Sequence, residues 1–333
     1  MKIAIVKLSS LGDIVHAMLA LQIIKQTYPQ AEIDWVVESQ FAGLLEHNPD
    51  IHEILTVNLK ALKSNKFKLF SEISKIKHYA NHHYDYVIDA QGLIKSAITS
   101  RLLSSNCFGF DKNSIREKVA SFFYTNTVSF PYDGNIIERN LAVLTRPLGI
   151  EFKVEQILNK KPFLFYDDID AILESYFDRD KQSVLFVTGS SWPSKNYPKE
   201  HYLELINQID ADCLVCWGSE SERLSAEWIT GKSKAKLLPR LSFNQLKAVI
   251  ANVDLVIGND TGPTHMAWAM NRPSITLFGP TPTSLAYQTD INKVFKSPSP
   301  VNKFKLNKND FSIKDIEVGQ VLACAIGLLA EQR

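Results

Sequence analysis

The chain has 333 residues, beyond the size at which one core usually stops growing, so two domains are the default expectation. Apolar residues make up 45% and charged residues 22%, which excludes a disordered chain, and a net charge of +1 excludes the overall basicity of a nucleic-acid-binding protein. Four cysteines at this length exclude a disulfide scaffold and fit a reducing cytoplasm.

The opening "MKIAIVKLSS" is too short, and too soon broken by Gly12-Asp13, to read as a signal peptide. No apolar run reaches the ~20 residues of a membrane span. The nearest, "VGQVLACAIGLLA", contains Gln320 and reads as a packed helix. Any membrane contact is therefore expected from the surface.

In chain order, short runs rich in Val, Ile and aromatics alternate with longer segments of helical period, the pattern of βα units and a parallel sheet. The predicted strands of the first half are "KIAIVKL", "EIDWVVE", "EILTV" and "YDYVIDA", each followed by a helix. From Ile150 to Gln182 the pattern loses clarity, with room for a short strand and a helix. It restarts with "SVLFVTG", "DCLVCWG", "DLVIGND" and "PSITLFGP", with helices around His201, Ser225, Gln245 and Met266. The expected domains are 1–155 and 183–315, with 156–182 as the crossing between them. Residues 316–333 are read as a C-terminal helix able to pack back on the first domain. Two doubly wound halves on either side of a cleft are the simplest architecture, with ligands at the C-terminal ends of the strands.

In "KLSSLGDIVHA" a lone acid, Asp13, stands at the first turn of an apolar helix, where it either caps the helix or does chemistry. "VTGSSWPSKNYP" offers Thr188, Gly189 and Ser190 where a backbone must approach a ligand closely, with Lys195 in the same loop. "WGSESER" is strand, glycine, then helix; Glu220 or Glu222 can accept from ribose hydroxyls or simply complement the helix dipole. "GNDTGPTHMAWA" follows a buried strand and opens a helix, with Asp260, Thr261 and Gly262 in the turn and Pro263 at the first helical position. Such a helix start presents unpaired N–H groups and a positive dipole end, which suits a phosphate.

Other signals point away from familiar chemistry. A Walker A loop and a G-x-G-x-x-G after the first strand are both missing, against kinase-like ATP use and dinucleotide binding. Cys213 and Cys216 lie inside an apolar strand and read as core. His82 and His83 lack a second ligand pair at metal spacing, and the Asp-x-Asp triplets at 168, 178 and 210 lie in the crossing or at the wrong sheet end, so no metal is expected. Between Leu59 and Lys77, Lys60, Lys63, Lys66, Lys68, Lys75 and Lys77 face the single acid Glu72, as a solvated helix face or as a contact for an anionic partner.

Taken together, "KLSSLGDIVHA", "IDWVVESQFA", "WPSKNYP", "WGSESER" and "GNDTGPTHMAWAMNRPSITLFGPT" resemble the family 9 glycosyltransferases over nearly the whole chain. "KLSSLGDIVH" and "DWVVE" resemble the subgroup that adds the first inner-core heptose more than the one that adds a later heptose. The resemblance implies an α/β GT-B fold, two Rossmann-like domains with the acceptor on the first and the sugar nucleotide on the second. It implies inverting, metal-independent transfer of L-glycero-D-manno-heptose from ADP-heptose to the first Kdo of Kdo-lipid A, without a cofactor. By the same likeness Asp13 matches the general base. Lys195 matches the donor-phosphate contact, Glu220 the ribose contact, and Thr188, Gly189, Ser190, Asp260, Thr261, Gly262 and His265 the donor site. Ser10, Gly12, Lys60, Lys63, Arg116 and Arg139 fall on the acceptor side. Thr188-Gly189-Ser190-Ser191 stands where the subgroup often shows paired threonines, and lysines stand where its acceptor loop is often arginine-rich.

A carboxylate in a partly dry cleft can take the proton that an acceptor hydroxyl loses as it attacks an anomeric carbon. Lys195 and the helix start at Pro263 can stabilise the charge gained by the departing diphosphate. The implied protein is monomeric and cytoplasmic, peripheral on the inner face of a Gram-negative cytoplasmic membrane, with no nucleic-acid partner. A non-catalytic sugar-nucleotide-binding protein and a nucleotide-sugar epimerase are the rivals. ADP release that depends on acceptor separates a transferase from both.

Overall fold

The computed structural model describes residues 1–60, 68–178 and 180–332. Lys63 and Lys66 of the basic run lie outside the described residues. The chain forms two units, Met1–Phe163 and Leu164–Arg333.

The first unit is built on β1 (Lys2–Val6), β2 (Glu32–Glu38), β3 (Glu53–Val57), β4 (Tyr86–Asp89), β5 (Cys107–Phe110) and β6 (Asn126–Val128). These pair, all parallel, in the order β3-β2-β1-β4-β5-β6. Ile3, Ile5, Val36 and Ile88 are fully buried, as expected of strands covered by helices on both faces. The helix Leu11–Thr27 packs on the helix Ile136–Thr145 and buries every residue from Ile14 to Leu21. That is why its sequence is apolar all round rather than striped.

The second unit repeats the plan with β7 (Ser183–Val187), β8 (Asp212–Cys216), β9 (Lys236–Leu237), β10 (Leu255–Asn259), β11 (Ser274–Phe278) and β12 (Asn292–Lys296). Their order is β12-β11-β10-β7-β8-β9, again parallel throughout. Read outward from β7, this is the topology of the first sheet, and both match the Rossmann order. The strand order reverses between β1 and β4 and between β7 and β10. Ligands of such sheets bind outside the C-terminal ends of the strands at those two points.

β5 escapes the sequence reading because it is only four residues with a glycine inside ("CFGF"), and β6, β9 and β12 because they are short and polar or lysine-bearing ("NTV", "KL", "NKVFK"). The segment between the halves carries the short helices Val154–Leu158 and Ala171–Glu174 and, among its described residues, no strand. The expected C-terminal helix spans Val318–Ala330. Its buried stripe, Val321, Ala325 and Leu328, joins the core of the second unit beside the helix Lys199–Gln208. Cys213 and Cys216 are free and buried, and burial pushes their thiols up to about 11 and about 12.

Candidate active site

In the second unit the site assembles where β7 and β10 end side by side. Gly258 permits this: a Cβ there would lie 2.6 Å from Val187 Cβ and 2.8 Å from Val187 O, so only glycine lets the two strands approach. Next to it, the buried Asn259 ties the two loops together. Its Oδ1 accepts from Tyr197 N at 2.9 Å and from Tyr202 Oη at 3.0 Å, and its Nδ2 donates to Thr188 O at 3.0 Å.

Asp260 follows, 3% exposed, with three partners. Lys195 Nζ lies 2.8 Å from Oδ2, His265 Nε2 lies 3.0 Å from Oδ1, and Thr281 Oγ1 donates to Oδ2 at 2.7 Å. Burial alone would push this carboxyl up, but the Lys195 charge and the His265 contact outweigh it and hold it well below the usual carboxylate range. The helix Gly262–Ala269 then begins, with Pro263 one place further in than expected and Thr264 Oγ1 donating to Asn259 O at 3.0 Å. Thr188 Oγ1 is buried with no hydrogen-bond partner among the described residues, whereas Ser190 Oγ sits 2.7 Å from Asn196 Oδ1 and serves the loop itself.

The two glutamates separate cleanly. Glu220 forms an exposed ion pair with Arg223, Nε donating to Oε2 at 3.0 Å. Glu222 Oε2 accepts from Gly218 N at 2.7 Å and Ser219 N at 3.2 Å, and its carboxyl lies so close over Gly189 that a Cβ there would come within 2.2 Å. Glu222, not Glu220, therefore borders the Thr188–Gly189 turn.

In the first unit the corresponding point lies between β1 and β4. Asp13 occupies the first turn of its helix, where Oδ2 accepts from Ser10 N at 3.1 Å and from Ser10 Oγ at 2.8 Å. Both bonds fall on one oxygen, and the residue is only half-buried. Gly12 stands beside it in the same turn. Beneath lies Lys7, 4% exposed, donating to Ala90 O at 2.7 Å. Burial lowers its pKa, while the nearby Asp13 and Asp89 charges oppose that shift. Gln91 Oε1 accepts from Leu8 N at 3.1 Å and Ser9 N at 3.0 Å and so joins the loops after β1 and β4.

The expected acceptor residues fare unequally. Lys60 is exposed, its backbone N 3.4 Å from Oε2 of the buried Glu38, whose Oε1 lies 3.5 Å from Lys95 Nζ. Arg116 is exposed and 3.7 Å from Glu117. Arg139 is not on the surface at all: it is 7% exposed, donates to Pro131 O and Ser114 O at 2.7 Å each, and lies against Phe110 and Tyr132. It pins two loops together. Sequence reasoning passed over Lys7, Gln91, Asn259 and Thr281. A lysine ending an apolar strand, and the small-residue run "GPTPTS" after β11, were the available signals.

Residues 73–299 match the family described as glycosyltransferase family 9 (heptosyltransferase). The chain belongs to glycosyltransferase family 9. Lipopolysaccharide heptosyltransferase 1 of Campylobacter coli is 33% identical, with the whole of both chains covered. The protein of the same name from Salmonella typhimurium is 29% identical over 86% of this chain and 90% of its own. Among solved structures, the Escherichia coli heptosyltransferase WaaC with ADP-2-deoxy-2-fluoro heptose superposes with a TM-score of 0.76 at 26% identity, covering 100% of this chain and 99% of that one. Family 9 membership makes the chain a glycosyltransferase of GT-B fold.

Proposed function

We infer that this family 9 enzyme is a lipopolysaccharide heptosyltransferase that moves L-glycero-D-manno-heptose from ADP-heptose to the first Kdo of Kdo-lipid A, with inversion. The observation that carries the donor half is the buried Lys195–Asp260–His265 group at the end of β7 and β10. Asp260 holds Lys195 in place, and the ammonium together with the helix start at Gly262 meets the diphosphate as its negative charge grows. The Thr188–Gly189 turn gives the nucleotide close backbone approach, and Glu222 rather than Glu220 is the acid placed to accept from ribose hydroxyls.

On the first unit, Asp13 acts as general base. Ser10 fixes one carboxylate oxygen, which orients the other toward a hydroxyl whose proton it takes as the sugar's anomeric carbon is attacked. Lys60 and Arg116 are exposed cations on this side for the acceptor's phosphates and carboxylates. On this reading the acceptor is a membrane lipid, which the enzyme meets as a monomer at the cytoplasmic face; among the described residues no helix is long and apolar enough to cross a membrane.

A coupled assay of ADP release tests the reading. ADP should appear with ADP-heptose only when Kdo-lipid A is present. ADP release only with an already heptosylated acceptor would assign a later transfer instead. Isomerisation of the nucleotide sugar without acceptor would mean an epimerase.

A further inference from the structure

Two phenylalanines of the first unit are four-fifths exposed, Phe70 at 80% and Phe122 at 82%. Single exposed apolar residues are ordinary on a protein surface. These belong to elements packed in one row: the helix Lys68–Tyr79 lies against the helix Ile94–Leu103, which lies against the 3₁₀ helix Lys118–Phe123. Val119 and Phe122 are three residues apart and share one side of a 3₁₀ helix, with Val119 55% exposed. Ile94 and Ile98, four apart and both exposed, share one side of theirs.

The starts of the row lie at the C-terminal edge of the sheet, the edge that carries Asp13. Glu72, in the first turns of its helix, accepts from Asn58 N just after β3 at 2.8 Å. Ile94 N, just after β4, donates to Glu117 Oε2 at 2.8 Å. Each of these acids is thus engaged with backbone, while Lys60, Lys112, Arg116 and Lys118 are exposed around them. The outcome is an apolar rim set among cations. A second copy of the chain would bring like charges together across such a face, whereas an anionic bilayer matches both parts: lipid for the aromatic rings and headgroup phosphates for the lysines and arginine.

We propose that this rim, from Phe70 through Ile94 and Ile98 to Phe122, is the face by which the enzyme docks on an anionic lipid bilayer. The inference deepens the proposed function and rests on its reading of the acceptor as membrane-borne: the row's starts share the C-terminal sheet edge with Asp13, and Phe122, next to Phe123 whose carbonyl accepts from Cys107 Sγ at the start of β5, extends the contact along the helix face.

The test uses the full chain with vesicles of mixed phosphatidylglycerol and phosphatidylcholine, and with vesicles of phosphatidylcholine alone. The wild type should co-sediment with the first and hardly with the second, and added salt should weaken the association. Phe70→Ser with Phe122→Ser should bind roughly tenfold less or worse, since insertion scales with buried apolar area. Its circular dichroism and melting should be unchanged. Transfer to Kdo-lipid A in vesicles should fall in that variant, and transfer to a deacylated, water-soluble acceptor should not. Equal vesicle binding by wild type and variant would overturn the proposal, as would wild-type dimers that the variant abolishes. Failure of the wild type to glycosylate either acceptor would sink the proposed function, and vesicle binding would still decide the docking face.

Discussion

Lys195 Nζ and Asp260 Oδ2 lie 2.8 Å apart in the second unit, their side chains 13% and 4% exposed. The pair joins the loop after β7 to the loop after β10 and keeps a positive charge at the start of a helix. Removing one partner of such a pair leaves the other charge buried, a loss of about 3–5 kcal/mol, whereas removing both costs less. Lys195→Met is therefore expected to melt well below wild type, and Lys195→Met with Asp260→Asn to recover part of that loss. Neither should recover activity, because the diphosphate loses its cation in both. Full activity in the double variant would show the pair to be structural only.

Asp13 both caps its helix and stands at the first sheet's ligand-binding edge, and one substitution separates the two roles. Asp13→Asn keeps an oxygen for the Ser10 donors, so melting should shift by only a few degrees. The amide cannot take a proton. The expected rate loss is about 10²–10⁴-fold, measured as kcat with ADP-heptose binding unchanged. Turnover within about tenfold of wild type would remove Asp13 from the chemistry.

Glu220 and Glu222 give a matched comparison. Glu222→Gln should raise the KM for ADP-heptose by about tenfold, the worth of one or two charge-assisted hydrogen bonds. Glu220→Gln should leave it nearly unchanged, since its carboxylate serves an exposed pair with Arg223. The reverse ranking, measured by steady-state kinetics, would return the ribose to Glu220.

Lys160 supplies the pH dependence. It is 8% exposed, and burial pushes its ammonium down to about 7. The unfolded chain keeps that proton to roughly pH 10, so between about pH 7 and pH 10 the unfolded state binds more protons and stability rises with pH. Below pH 7 the cost of the buried charge is fully present. Lys160→Met should accordingly remove this rise: the stability of the variant relative to wild type should be highest near pH 6.5 and fall toward pH 10. Urea titrations at pH 6.5 and pH 9.5 that gave the same difference would contradict this.

Much of the architecture was legible because strands buried on both faces write themselves as unbroken apolar runs, as in "KIAIVKL" and "SVLFVTG". Part of the Asp260 turn was legible too: Pro263 answers a local backbone demand at the helix start, and Gly258 the close approach of β10 to β7. The burial of Arg139 was not legible because nothing local distinguishes it from a surface arginine. Its acceptors, Ser114 O and Pro131 O, lie 25 and 8 residues away, and only the folded chain brings them to it. The choice between Glu220 and Glu222 was invisible for another reason. Two residues apart on a helix they point about 200° from one another, and which one turns inward depends on the helix's placement against Gly189.

Both sheets share one strand order, and in each the central pair joins segments far apart in the chain: Val6 sits beside Asp89, and Gly258 beside Val187. Neither sheet lends a strand to the other. On a ribosome, then, the first sheet has all of its strands once residue 128 has emerged, before any strand of the second has been made. The slow step in each half is the closing of one long loop around its centre, and the two closures proceed one after the other instead of competing for partners.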